Sequence, residues 1–117
     1  LAEMIENVRA NADLTIDVAP AHELWQSVRP LVIDVRGHDA YRETHVDGAI
    51  NIPLEELSSR ASELPSDRST PLLTICDRGN ISLPGVLILA TLGYRNARSV
   101  NGGTIAWQQM GYATESS

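Results

Sequence analysis

The 117-residue sequence predicts an α/β sandwich: one domain, with helices packed on a parallel sheet. Three observations carry that expectation. Short continuous runs of aliphatic and β-branched residues, such as Leu31-Val32-Ile33-Asp34-Val35, read as strands buried on both faces, which is the habit of parallel sheets. These runs alternate with stretches of helical periodicity, the spacing of βαβ units. The length suits a single core that buries roughly two-thirds of the unfolded surface.

In order along the chain, residues 1–13 read as an amphipathic helix, with Leu1, Met4, Ile5 and Val8 on one face, packed on or beside the domain. The absence of an initiator Met suggests a piece trimmed from a longer product. Leu14 to Val18 is a short β-prone piece, and Pro20 starts a helix that runs from Ala21 to Val28, carries Leu24 and Trp25 inward and is interrupted by Pro30. Leu31–Val35 is a strand, Asp39–Thr44 a short helix and Ala49–Ile52 a brief strand closed by Pro53. Leu54–Leu64 reads as one helix, with Leu54, Leu57, Ala61 and Leu64 on a face and Pro65 as its stop. Leu72–Ile75 is a buried strand that ends at Cys76. Leu83–Leu92 is apolar almost all round, hence a buried helix, and Gly93 stops it. Ala97–Val100 is the last strand, Gly102-Gly103 a turn and Thr104–Met110 the last helix.

Composition excludes several classes. Fifteen acidic against nine basic residues leave a formal charge of −6, which argues against nucleic acid or an anionic membrane as a partner. The longest strongly apolar run, Val86 to Leu92, is far short of the ~20 residues that span a bilayer. No basic stretch precedes an apolar one at the N-terminus, so no secretory signal is read and a cytoplasmic location is expected. A single cysteine cannot form an internal disulfide or a C-x-x-C pair. His22 and His38 have no partner at ligand spacing, so neither a metal nor a cofactor is expected.

The chemistry concentrates between Leu72–Ile75 and Leu83–Leu92, because ligands of open α/β sheets collect at the carboxyl ends of strands. The connection is C-D-R-G-N-I-S, Cys76 to Ser82. It leads into a helix N-terminus, whose unpaired N–H groups and dipole favour an anion. Gly79 permits the positive φ of a tight cradle, Ser82 reads as the N-cap, and Pro84 falls in the first turn. Such a ring favours the thiolate of Cys76 over the thiol. The competing reading is a small core thiol at a strand end. A Cys-x5-Arg phosphatase loop is disfavoured, since Ser82 stands where the arginine is needed to clamp a phosphoryl group.

Four segments together resemble a single-domain rhodanese-type sulfurtransferase. They are D-V-R at Asp34–Arg36, H-V-D-G-A-I-N-I-P at His45–Pro53, C-D-R-G-N-I-S at Cys76–Ser82 and G-Y-R-N-A-R-S-V-N-G-G-T-I-A-W at Gly93–Trp107. The resemblance implies a central five-stranded parallel sheet flanked by helices, with residues 14–114 as the rhodanese-like domain. It also implies that Cys76 takes the outer sulfur of a donor as a persulfide and passes it to a thiophilic acceptor. Asp77, Arg78, Gly79, Asn80, Ile81 and Ser82 would then cradle the substrate, their backbone N–H groups holding the anionic persulfide. The implied partners are a small anionic sulfur donor or a persulfide-bearing protein, and a thiol acceptor.

Side chains outside the loop have more modest expected roles. Asp34 and Arg36 read as a pair organising loops beside the site, and His45 as a hydrogen-bonded turn residue. Trp107 and Gly102-Gly103 read as packing and turn residues. The sequence departs from the family pattern at Asp77, Ile81, Thr44, Asp47 and Ala40. At ~6 Å, the Asp77 carboxylate would repel a thiolate by about 0.7 kcal/mol in water and about 2.8 at an effective dielectric of 20. Arg78 is the expected counter-charge. The alternative on the same fold is a catalytically weak binding or regulatory module.

Overall fold

The computed structural model describes residues 14–117. The helix expected over residues 1–13 lies outside the described residues.

The elements in chain order are β1 (Thr15–Ile16), α1 (Val18–Ser27), β2 (Leu31–Asp34), α2 (His38–Glu43), β3 (His45–Val46), β4 (Ile50–Asn51), β5 (Leu72–Ile75), α3 (Ser82–Thr91), β6 (Ala97–Val100), α4 (Gly103–Gln109) and β7 (Thr114–Glu115). Five strands form one parallel sheet in the order β1-β6-β5-β2-β4. The central strand β5 is buried along its whole length, with Leu72, Leu73, Thr74 and Ile75 all 2% exposed or less. That is why its sequence is a continuous apolar run rather than an alternating one.

Each face of the sheet carries a core. On one side Ile33, Val35, Ile52, Leu57, Val86 and Leu89 pack together. On the other, Ile16, Val32, Val46, Leu73, Val100 and Trp107 do so. Burying each of the aliphatic side chains among them is worth about 1.5–3 kcal/mol. Aromatic rings are few, and all but Tyr94, which lies in the first core, gather on the second side. His22 stacks on Tyr112 with centroids 3.6 Å apart, and Trp25 meets Trp107 edge-on at 5.7 Å, which pins α1 to α4.

Four details differ from the sequence expectation. First, Leu54–Leu64 is not one helix but two 3₁₀ turns, Leu54–Glu56 and Ala61–Glu63. Leu57 and Leu64 still anchor it in the core, but Ser58-Ser59 between them are weak helix formers, and the Ser59 hydroxyl donates to the Glu56 carbonyl at 3.0 Å. Second, α3 is apolar all round yet buried on one face only. Ser82, Gly85, Val86 and Leu89 face inward, whereas Leu87 is 49% exposed. Third, α1 begins at Val18, so Pro20 sits within the first turn rather than at the start. Fourth, β3 and β7 pair as a separate two-stranded antiparallel ribbon, His45 with Glu115 and Val46 with Thr114. Two-residue strands are too short to leave a periodicity.

No helix among the described residues is long and apolar enough to cross a membrane. A groove of about 620 Å³ lined by Leu24, Val28, Pro30, Pro71 and Arg95 opens at the amino end of the sheet, away from Cys76.

Candidate active site

Cys76 follows β5 directly, at the carboxyl edge of the sheet, and is fully buried. The chain then turns back on itself. Gly79 has φ +99°, which L side chains rarely adopt, and its N–H donates to Cys76 Sγ at 3.0 Å. A Cβ at Gly79 would also lie 3.2 Å from the backbone nitrogen of Gly102, so the loop is pressed against the turn after β6. Asn80 Oδ1 stands 3.7 Å from Sγ.

Ser82 is not the cap of α3. Ile81 occupies that position, and no side chain caps the helix. Ser82 is the first helical residue and is fully buried. Its hydroxyl lies 3.5 Å from Cys76 Sγ and 2.6 Å from the hydroxyl of Ser99 on β6. Its carbonyl accepts from Thr74 Oγ1 at 2.8 Å. Ser99 carries no signal in the sequence, where it is one small polar residue in a four-residue strand.

Helix α4 locks the other flank of the loop. Thr104 N–H donates to the Cys76 carbonyl at 2.8 Å, and Ile105 N–H to the Asp77 carbonyl at 3.0 Å. This approach leaves no room for a side chain at Gly103, where a Cβ would stand 2.5 Å from Cys76 O. Gly102-Gly103 is therefore a contact with the cysteine loop as well as a turn.

The carboxylate of Asp77 is 62% exposed and pairs with Arg36 Nη1 at 3.1 Å. Its counter-charge is thus Arg36 and not Arg78, the residue expected from the sequence. Arg78 is exposed and forms no ion pair among the described residues. Arg36 itself is 7% exposed and grips fully buried Asp34 through Nε at 3.0 Å and Nη2 at 2.7 Å, with Nη2 also donating to the Thr44 carbonyl. Burial works against the guanidinium charge, but the hydrogen bonds and charges of Asp34 and then Asp77 outweigh it, holding Arg36 protonated more firmly than a free arginine. Asn51 donates to the carbonyls of Asp34 and Arg36, fixing the backbone between them. Ile81 is 37% exposed beside the loop.

His45 lies apart from the sulfur. It is buried on β3, its Nδ1–H donates to the Tyr41 carbonyl at 2.6 Å, and its Nε2 faces Glu115 Oε1 at 3.1 Å. Glu115 also accepts from Gly48 N–H at 3.1 Å. That backbone bond and then His45 hold the Glu115 carboxyl below its ordinary 4.5. A depressed carboxyl stabilises the fold above its unfolded value and loses that contribution as pH falls through the folded one. The Gly48 amide resonance should therefore show an inflection below pH 4.5 that Glu115→Gln removes, and a flat acid titration would count against the contact. Among the described residues no group of three or more His, Cys, Asp or Glu is placed to hold a metal ion.

A buried cysteine at the carboxyl end of a central parallel strand, ringed by its own loop, defines a thiol-bearing α/β domain. The chain belongs to the rhodanese-like domain family, whose model matches residues 3–110. It is 36% identical over 70 residues to the thiosulfate sulfurtransferase PspE of Escherichia coli, a match covering 60% of this chain and 67% of PspE. It is 34% identical over 82 residues to an HTH-type transcriptional regulator of Mycobacterium tuberculosis, covering 68% of this chain but 35% of the regulator. Against the adenylyltransferase and sulfurtransferase uba4 of Ogataea parapolymorpha, at 35% identity, it covers 20% of that protein. Among solved structures, a rhodanese-related protein from Thermoplasma volcanium superposes with a TM-score of 0.74 at 30% identity, over 86% of this chain and 96% of that one. A thiosulfate sulfurtransferase from Pseudomonas aeruginosa does so with 0.77 at 26% identity, over 87% of this chain and 20% of that one.

Proposed function

We propose that this chain is a sulfurtransferase in which Cys76 carries the transferred sulfur. The observation that carries the reading is the set of groups on Sγ: Gly79 N–H at 3.0 Å and Ser82 Oγ at 3.5 Å, at the carboxyl end of β5. Both can donate to a sulfur anion. In the first half-reaction the thiolate electron pair attacks the outer sulfur of thiosulfate. The donor S–S bond breaks, its electrons leave with sulfite, and Cys76 becomes a persulfide anion. In the second, an acceptor thiolate attacks the outer persulfide sulfur, and the Cys76 thiolate leaves. With a single cysteine among these 117 residues, the acceptor thiol comes from outside them. A persulfide-bearing protein is the other donor this chemistry admits. Arg78, exposed on the loop, would meet the sulfonate end of an anionic donor. The protein would act in the cytoplasm, away from nucleic acid and membrane.

Incubation with thiosulfate followed by intact-mass measurement tests the reading. Wild type should gain the mass of one sulfur atom and lose it to cyanide, whereas Cys76→Ala should gain none. Equal cyanide-dependent turnover by wild type and Cys76→Ala would exclude Cys76 as the carrier.

A second reading, a binding or regulatory module, is favoured by one feature: an exposed carboxylate at Asp77, the residue that follows Cys76. The similarity to a transcriptional regulator agrees with it. On that reading no sulfur is gained from thiosulfate or from a persulfide donor.

A further inference from the structure

We propose that Ser99 is a positioning residue for Cys76, acting through the hydroxyl of Ser82. Resting on Cys76 as the nucleophile, this names a group in its activation that lies outside the cysteine loop. Ser99 is 1% exposed on β6 and Ser82 fully buried at the head of α3. Their hydroxyl oxygens are 2.6 Å apart, and Ser82 Oγ continues to Cys76 Sγ at 3.5 Å. The row is rigid at both ends. Thr74 Oγ1 holds the Ser82 carbonyl from β5, and Ser99 N–H donates to the Leu14 carbonyl at 2.7 Å.

The two hydroxyls carry two protons, and counting their acceptors gives the row a direction. If the Cys76 thiol donates to Ser82, Ser82 passes its own proton to Ser99. The Ser99 proton is then buried with no acceptor among the described residues. If the sulfur is the acceptor, Ser99 donates to Ser82 and Ser82 donates to sulfur, and a thiol proton on Cys76 turns to Asn80 Oδ1 at 3.7 Å, so every proton has a partner. The bond from Ser82 to the sulfur strengthens when the sulfur is ionised for attack, because hydrogen bonds to an ion are the stronger ones. The remaining groups at the sulfur are Gly79 N–H, a donor, and Asn80 Oδ1, an acceptor, and the charges nearest it along the chain are Asp77, paired with Arg36, and Arg78.

The test is the rate of Cys76 alkylation by iodoacetamide against pH, read by intact mass. Ser99→Ala should slow alkylation at neutral pH about three- to tenfold, the loss of one hydrogen bond in a row ending on an ion, and move the profile to higher pH with its alkaline plateau unchanged. Ser82→Ala should do at least as much. The double variant should be no slower than Ser82→Ala, since Ser99 acts only through Ser82. Ser99→Thr keeps the hydroxyl and should restore the wild-type profile, which separates the effect from loss of packing. A Ser99→Ala profile that superposes on wild type, or losses that add in the double variant, would overturn the proposal. Failure of wild type to take sulfur from any donor would overturn the sulfurtransferase reading instead, and the alkylation profiles would still decide the role of Ser99.

Discussion

Gly103→Ala is expected to destabilise the domain by about 3 kcal/mol and to abolish sulfur loading, although no side chain at this position touches a substrate. Two costs add. The residue has φ +59°, and an L residue there costs about 1–2 kcal/mol. Its Cβ would also stand 2.5 Å from Cys76 O and 2.6 Å from Asp77 C and O. These are backbone atoms and cannot swing aside as the tip of a lysine could. Relief requires the cysteine loop and α4 to separate, which strains or breaks the bonds from Thr104 and Ile105 to the carbonyls of Cys76 and Asp77, at about 1 kcal/mol each. Gly48→Ala is the control. Gly48 also has positive φ, +85°, but a Cβ there meets nothing within 4 Å, so only the conformational cost applies. Urea denaturation of both variants with intact-mass loading separates the two effects. If Gly103→Ala loses no more stability than Gly48→Ala and still loads sulfur, the close approach is not what holds the loop.

That contact also marks the reach of the sequence. The buried strands are legible because burial on two faces leaves an unbroken aliphatic run, as in Leu72–Ile75 and Leu31–Asp34. Cys76 is legible because it ends such a run and precedes a helix. Its supporting contacts are not, since each joins residues far apart in the chain. Arg36 and Asp77 are 41 positions apart, and no local pattern distinguishes Arg36 from the nearer Arg78 as the partner. Ser82 reads as a cap because a serine just before an apolar helix usually is one. The helix begins one residue earlier than that reading needs, so its hydroxyl points inward to Ser99. The Leu54–Leu64 segment misleads in the opposite way, because its apolar spacing suits a helix and also two 3₁₀ turns that drop Leu57 and Leu64 into the core.

Arg36→Met should cost about 3–5 kcal/mol, the range for removing one partner of a buried ion pair. Asp34 is fully buried, and Arg36 supplies every side-chain partner its carboxylate has among the described residues. Without the guanidinium, the carboxylate keeps only the backbone N–H of residue 36, at 3.1 Å. Much of the loss is the penalty of an uncompensated buried charge rather than the worth of the pair. The double variant Asp34→Asn with Arg36→Met should therefore be more stable than Arg36→Met alone. A second consequence falls on the site. Arg36 ties β2 to the first residue after the cysteine through Asp77, so its loss frees one side of the loop. Trypsin cleavage after exposed Arg78 should then accelerate under native conditions. The double variant should be cleaved as fast, because neutralising position 34 removes the buried charge without restoring the tether. Urea denaturation measures the first effect and limited proteolysis the second. Recovery of stability without recovery of protease resistance would show that Arg36 serves the core through Asp34 and the loop through Asp77, as two separable contacts. Recovery of both would leave the contact with Asp77 without a part in holding the loop.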